Sequence, residues 1–210
     1  MKTLLLFGAT GLVGQAVLRQ ALADTRVGRV VAPTRRPLPP QAKLENPLID
    51  FKALPEEAPW WRADGAICTL GTTIRRAGSQ AAFREVDFTY PLTVARVAHR
   101  HGTPAFALTS SLGADAHART FYLRTKGETE KAVADTGFAS CTIVRPSILG
   151  GDRSESRPME AISTGVMSAL AWMIPRRYRV VPAENVATAL LNAAINATRG
   201  RHVLESEDLQ

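Results

Sequence analysis

Short apolar runs alternate along the chain with segments whose apolar residues recur at helical spacing. Runs that end at a glycine, a proline or a polar residue are typical of buried strands, and we predict strands at 2–7, 29–32, 48–51, 64–70, 105–108, 141–144 and 202–204. The helical spacing predicts helices over 12–22, 80–101, 119–134, 159–174 and 184–197. Pro91 lies inside the second of these and is expected to kink or split it.

Strands that alternate with helices imply a parallel sheet covered by helices on both faces. The predicted fold class is therefore α/β, a doubly wound parallel sheet of the Rossmann type. The 210 residues suffice for one such domain and are few for two. The regular alternation fades after Gly150, and we expect residues 151–210 to form a small cap on the substrate side of the sheet.

A glycine-rich loop follows the first predicted strand and opens the first predicted helix. Gly8 permits a tight turn, Gly11 lets the backbone approach a pyrophosphate, and Gly14 lets the helix pack closely on the sheet. The N–H groups at the start of the helix would face the anion along the favourable end of the helix dipole. We predict that a dinucleotide binds to this loop through Gly8, Thr10, Gly11, Leu12, Val13 and Gly14.

The residues after the second predicted strand bear on the choice between NAD and NADP. An acidic residue there would bind the ribose hydroxyls of NAD, but the chain carries Arg35 and Arg36. Guanidinium groups match phosphate oxygens, so this pair favours NADP over NAD. The other interpretation is two arginines exposed to solvent on a loop. Asp50, at the end of the third predicted strand, is a candidate contact to the adenine.

Candidate acid–base residues lie around the fifth predicted strand and the helix after it. Tyr122 and Lys126 are four residues apart near the start of a helix and so share one face. A lysine ammonium favours the phenolate of a nearby tyrosine and makes it a usable acid–base group. Ser110 and Ser111 follow a strand whose carboxyl end should line the ligand crevice, and either of them could hold a substrate oxygen.

Taken together, these motifs resemble the atypical branch of the short-chain dehydrogenase/reductase superfamily. The likeness is greatest to its Tat-interacting-protein-like, NADPH-binding group. It is carried by 8–14, 68–73, Val86-Asp87, 109–115, 122–128, 144–146 and 152–158.

The resemblance implies a proton relay through Tyr122, Lys126 and one of the two serines, with Lys126 also holding the nicotinamide ribose. It places Leu70 and Gly71 along the cofactor and Pro146 beside the nicotinamide. Many members of the superfamily have an asparagine where Asp87 falls.

The predicted function is that of an NADP-dependent oxidoreductase that transfers hydride to or from a small carbonyl or alcohol substrate. Two alternatives use the same residues. One is a non-catalytic NADPH-binding protein with a regulatory or redox-sensing role, and the other is an epimerase or dehydratase.

Composition and charge argue against several other classes of protein. The formal net charge is +7, but the basic residues are scattered and accompany no nucleic-acid-binding motif. No apolar run is long enough for a membrane span, and no cysteine–histidine spacing indicates a metal site. We interpret Cys68 and Cys141 as small buried hydrophobes. The start of the chain is interpreted as a strand rather than a signal peptide, which predicts a cytoplasmic protein. A homodimer or a protein partner is left open.

Overall fold

The computed structural model describes residues 1–150 and 175–210. Within them, seven parallel strands form one sheet in the order β3-β2-β1-β4-β5-β6-β9, and β7 and β8 form a separate parallel pair. The strands are β1 (Lys2–Phe7), β2 (Val27–Val31), β3 (Leu44–Glu45), β4 (Gly65–Cys68), β5 (Ala105–Thr109), β6 (Ser140–Arg145), β7 (Leu149–Gly150), β8 (Val181–Pro182) and β9 (Gly200–Glu205). The helices are α1 (Leu12–Ala23), α2 (Ile74–Ala77), α3 (Gln80–Arg84), α4 (Tyr90–Arg100), α5 (Phe121–Ala134) and α6 (Ala183–Asn196).

Helices cover both faces of the sheet, which confirms the doubly wound α/β fold. Alternate side chains of β1 enter two cores on opposite faces of the sheet. Leu4 and Leu6 pack with α1 and α6 in the first core, whereas Leu5 and Phe7 pack with α4 in the second core. Burial on both sides explains why the strands are continuous apolar runs rather than alternating ones. Trp60 and Trp61 close the second core, and Cys68 and Cys141 are buried there as predicted.

The predicted helix 80–101 contains a π-helical turn, Glu85–Thr89, between α3 and α4. Pro91 lies in the first turn of α4 and has no N–H to offer the carbonyl of Asp87 four residues earlier. That carbonyl instead accepts a hydrogen bond from Thr129 Oγ1 at 2.9 Å. The expected break at Pro91 is therefore a widened turn that α5 stabilises from outside the helix.

The predicted strand 48–51 is wrong. The third strand is Leu44–Glu45, and Leu48 forms only an isolated bridge with Thr34. Pro47 separates the two segments and cannot donate to a ladder, so the strand ends before it.

The expected cap needs correction for its second half. β9 is the outer strand of the main sheet, paired with β6 along its whole length, and α6 packs against α1 in the first core. Residues 183–205 therefore belong to the Rossmann fold itself. The predicted helix 159–174 lies outside the described residues. Among the helices that are described, none has the length and apolar character needed to cross a membrane.

Candidate cofactor and catalytic site

The glycine-rich loop packs closely against the loop that follows β4. Gly8 has φ 90°, which favours glycine, and a Cβ on it would lie 2.6 Å from Thr69 Oγ1. A Cβ on Gly14 would lie 2.0 Å from the carbonyl oxygen of Gly8. Thr69 Oγ1 donates to the carbonyls of Phe7 and Gly8 at 3.1 and 3.2 Å. Gly8 and Gly14 are therefore required by the close packing of the protein itself.

Gly11 differs from the other two glycines. A Cβ on it would meet only the carbonyl of Gly8, at an ordinary 3.5 Å, so no protein contact demands glycine there. Gly11 is the N-cap of α1, no side chain caps the helix, and Thr10 beside it is exposed. The outer side of the loop thus presents free N–H groups at the positive end of a helix, which fits a dinucleotide pyrophosphate. Leu12 is half-buried, and Val13 is buried in the first core, so only its backbone faces this side.

The loop after β2 presents Arg35 and Arg36 to solvent, and neither side chain forms a hydrogen bond or an ion pair with the described residues. Asn46 supports the loop through hydrogen bonds to the carbonyl of Ala32 and to Thr34 Oγ1, at 2.6 and 2.8 Å. The two guanidinium groups therefore stand on a braced backbone at the carboxyl end of the sheet.

Asp50 follows the same loop along the chain. It is exposed, and its Oδ1 accepts a hydrogen bond from the N–H of Lys52 at 2.9 Å. Burial, together with the nearby Glu85, raises the pKa of Tyr90, and the charges of Asp50 and Arg35 act on the same phenol with opposite signs. Asp50 and Arg35 therefore both lie within electrostatic reach of Tyr90, and the contact of Asp50 with the adenine stays a prediction.

Lys126 projects from α5 into a buried ion pair. Its Nζ lies 2.7 Å from Asp87 Oδ1, and the two side chains are 9% and 0% exposed. The other carboxylate oxygen of Asp87 accepts the N–H of Thr72 at 2.8 Å. Burial alone would lower the pKa of Lys126, but the charge of Asp87, with smaller contributions from Tyr122 and Cys68, outweighs burial and raises it.

Tyr122 lies one helical turn before Lys126, half-buried, with its ring centroid 5.7 Å from that of Phe83. Gly71, exposed at the mouth of the site, lies beside the ion pair: a Cβ on it would be 3.3 Å from Asp87 Oδ1 and 3.6 Å from Lys126 Nζ. The phenol, the ammonium and the loop after β4 therefore meet at the carboxyl edge of the sheet. Leu70 is half-buried against the second core.

The two candidate serines have different surroundings. Ser110 is buried, and its Oγ has no hydrogen-bond partner within the described part of the chain. Ser111 is partly exposed, and its Oγ donates to the carbonyl of Leu112 at 3.4 Å. The loop after them is tied to Pro146, which is buried and whose carbonyl accepts the N–H of Leu112 at 2.9 Å. Ser111 is therefore the more accessible hydroxyl.

Comparison with known proteins places this site in a family. Protein HTATIP2 from Rattus norvegicus is 34% identical over 205 residues, which cover 95% of this chain and 84% of that protein. Protein fmp52, mitochondrial, from Aspergillus niger is 31% identical over 220 residues, covering 99% of this chain and 93% of that protein. The chain belongs to the HTATIP2/FMP52 family. This confirms the resemblance to atypical short-chain dehydrogenase/reductases. No family model matches the sequence.

The fold is shared with NAD-dependent epimerases and dehydratases. MoeE5, solved in complex with UDP-glucose and NAD, superposes with a TM-score of 0.73 at 18% identity, covering 97% of this chain and 75% of that one. At this level of identity, the likeness shows a shared fold.

The predicted cytoplasmic location is wrong. The Aspergillus niger relative is named as a mitochondrial protein, which contradicts it. The prediction depended on interpreting the first apolar run as a strand. That interpretation is correct for β1, but it carries no information about the compartment.

Asp87 is the residue of the site that the sequence did not single out. It entered the sequence analysis only as a departure from asparagine, whereas in the structure it is the direct partner of Lys126. One signal was available: Asp87 follows the fully buried Phe83 by four residues, so a carboxylate falls on the apolar face of the helix. A buried charge in that position requires a partner.

Proposed function

We propose that this protein is an NADP-dependent oxidoreductase that acts on a small carbonyl or alcohol substrate. The observation that carries the proposal is the meeting of two groups at one edge of the sheet. The glycine-rich loop after β1 is open on its outer side. Lys126, on which Tyr122 acts electrostatically, lies beside Gly71 in the loop after β4. β1 and β4 are adjacent parallel strands, so both loops leave the sheet at the same edge.

The chain's own residues suggest how a dinucleotide would be held. Gly11 and the first N–H groups of α1 would bind the pyrophosphate, Arg35 and Arg36 the 2′-phosphate, and Lys126 the nicotinamide ribose. Leu70, Gly71 and Pro146 would line the nicotinamide end, and Asp50 would lie near the adenine. When bound, the nicotinamide would supply or accept the hydride.

The proton would move through Tyr122. With a carbonyl substrate, its hydroxyl would donate a proton to the substrate oxygen, and Ser111 would hold that oxygen by a hydrogen bond. The ammonium of Lys126 would stabilise the resulting phenolate. In the direction of alcohol oxidation, the phenolate would take the proton back.

The cofactor choice is tested by titrating the protein with NADPH and NADH and following nucleotide fluorescence. We expect NADPH to bind at least about tenfold more tightly, because each guanidinium–phosphate contact is charge-assisted. Arg35→Ala/Arg36→Ala should remove most of that preference and leave NADH affinity nearly unchanged. Arg62→Ala, which removes another exposed arginine, is the matched control. Equal binding of the two nucleotides by the unmodified protein would refute the assignment of NADP.

Catalysis is tested with a panel of small aldehydes, ketones and alcohols, monitoring absorbance of the reduced nicotinamide. Tyr122→Phe should lower kcat on any substrate found by roughly two to four orders of magnitude and leave NADPH binding intact. Turnover that survives this substitution would show that the relay is misassigned. Tight NADPH binding with no turnover across the panel would instead favour the non-catalytic, regulatory alternative.

A second candidate is an epimerase or dehydratase that keeps its cofactor through the cycle. It is favoured by the shared fold with MoeE5, whose structure contains UDP-glucose and NAD. The two candidates differ in what the purified protein carries. Nucleotide released on denaturation in near-stoichiometric amount, together with failure to exchange with added NADPH, would support the second.

A further inference from the structure

Asp87 is held from three directions. Its carboxylate contacts Lys126 Nζ at 2.7 Å and accepts the N–H of Thr72 at 2.8 Å. Its backbone carbonyl accepts the hydroxyl of Thr129 at 2.9 Å. Two of these contacts come from α5 and one from the loop after β4. The carboxylate therefore connects the helix that carries Tyr122 and Lys126 to the loop that carries Gly71.

Asp87 lies within the π-helical turn. Its backbone carbonyl, within this turn, accepts the hydroxyl of Thr129 from α5. Arg84 fixes the flank of the turn, since it pairs with Glu128 of α5 and stacks 4.2 Å over the Phe88 ring. π-turns often occur at functional sites because they aim one side chain that a regular helix would not.

A buried ion pair contributes little net stability to a fold. The cost of desolvating both charges commonly cancels their attraction, and apolar residues of similar volume often serve as well. The pair is buried, but it lies beside the exposed Gly71 at the mouth of the proposed cofactor site. Its position indicates a role in the site.

We propose that Asp87 is a positioning residue that keeps Lys126 charged and holds its Nζ in place for the nicotinamide ribose and for Tyr122. This inference rests on the proposed function for what Lys126 binds. Asp87 itself touches neither substrate nor cofactor in this assignment. Its effect on NADPH binding runs through Lys126.

Three groups act on the Lys126 ammonium: Asp87 from the π-turn, Tyr122 from α5 and Cys68 from β4. Burial raises the pKa of Cys68 to about 12, so this thiol stays neutral through the working range. Tyr122 is removed as a variable by repeating each measurement in a Tyr122→Phe background. Asp87 is then the charge whose loss should decide the state of Lys126.

The first test needs no cofactor and follows the free energy of unfolding against pH. In the unmodified protein the pKa of Lys126 is raised above 10.5, so its contribution to stability is intact at all lower pH values. In Asp87→Asn, burial should dominate and lower that pKa below the unfolded value. The folded state then binds fewer protons than the unfolded state, and the variant should gain stability relative to the unmodified protein as pH rises from about 7 to about 10. A constant difference over that range would overturn the inference.

The second test measures NADPH affinity against pH. The unmodified protein should bind NADPH equally well between about pH 7 and about pH 9.5, whereas Asp87→Asn should lose at least about fivefold over this range as Lys126 loses its charge. Lys126→Met should bind weakly at every pH, and adding Asp87→Asn to it should change nothing further. A further loss in the double variant would mean that Asp87 acts through Thr72 instead.

The design separates the two proposals. If the unmodified protein binds no NADPH but the stability profile behaves as expected, the proposed function fails and the control of Lys126 by Asp87 stands. If Asp87→Asn does not fold, Asp87→Glu keeps the carboxylate and should give a flat binding profile. A pH-dependent profile from that variant would contradict the inference.

Discussion

The three glycines of the first loop have different reasons to be glycine, and this difference can be measured. Gly14→Ala should lose about 1–3 kcal/mol of unfolding free energy, because its Cβ would fall 2.0 Å from the carbonyl oxygen of Gly8. Gly11→Ala should stay within about 0.5 kcal/mol of the unmodified protein, since its Cβ would make only an ordinary contact at 3.5 Å.

NADPH binding should distinguish Gly11→Ala from Gly14→Ala in the direction opposite to stability. Gly11→Ala should weaken NADPH binding at least about tenfold, because a Cβ at that position faces the site proposed for the pyrophosphate. Urea denaturation and fluorescence titration on the same samples give both quantities. A Gly11→Ala protein with unchanged NADPH affinity would move the pyrophosphate site away from this loop.

At the scale of residues, the sequence predicted what depends on local spacing. The four-residue interval between Tyr122 and Lys126 is enough to put both side chains on one helix face, and the electrostatic contact between them agrees. The partner of Lys126 could not be found in this way. Asp87 lies in a π-helical turn and meets α5 through the tertiary fold, and local spacing along the sequence reveals neither feature. Likewise, the choice between Ser110 and Ser111 depends on burial, which adjacent residues in a sequence do not reveal.

Among the elements, α5, β6 and β9 are joined by one arginine at the carboxyl end of the sheet. Arg145 makes two hydrogen bonds to the carboxylate of Glu130, which is 2% exposed, and a further one to Glu205. These contacts raise the pKa of Arg145 further above its ordinary value, the bonds to Glu130 contributing most. Pro146 follows directly, so the network holds the strand end that leads to the proposed nicotinamide pocket.

Arg145→Met should therefore destabilise the protein by about 3–5 kcal/mol, because it leaves the Glu130 carboxylate buried without a counter-charge. Adding Glu130→Leu should restore much of the loss, since the uncompensated charge is then gone. Arg29→Met breaks the exposed pair with Glu45 and should cost at most about 1 kcal/mol. Urea denaturation monitored by circular dichroism measures all three. Similar costs for the Arg145 and Arg29 variants would contradict a structural role for the network.

The hydrophobic pattern of the sequence is sufficient to place the longer helices and strands. β1, α1 and β5 have long, unambiguous runs, and the structure has them within a residue or so of the predicted bounds. The third strand was misplaced because only two residues pair, which is too short for any period to register. Pairing across the β2–β3 loop, and not local propensity, decides its position.

For the molecule as a whole, the sequence predicted the fold class but not the place of its last helix and strand. α6 has an evident apolar stripe. Such a stripe indicates that one face of the helix is buried, but it does not identify the elements that cover this face. In the structure α1 and the sheet cover it, and β9 extends the sheet beside β6. Residues 183–205 are thus part of the same core as the glycine-rich loop, and their stability should be inseparable from that of the cofactor site.

Leu190→Ala tests whether α6 and β9 unfold together with the rest of the sheet. Leu190 is fully buried on α6, so the substitution should cost about 2–5 kcal/mol. Trp60 and Trp61 report from the opposite core, and Trp172 is changed to Phe in every variant so that fluorescence comes from that pair alone. If the sheet and both its faces unfold together, the fluorescence midpoint in urea must shift with Leu190→Ala although the two sites lie on opposite sides of the sheet. Leu48→Ala, at a side chain 61% exposed, should leave the midpoint in place. A fluorescence transition that ignores Leu190→Ala would instead mean that α6 and β9 unfold as a separate cap, as the sequence alone had suggested.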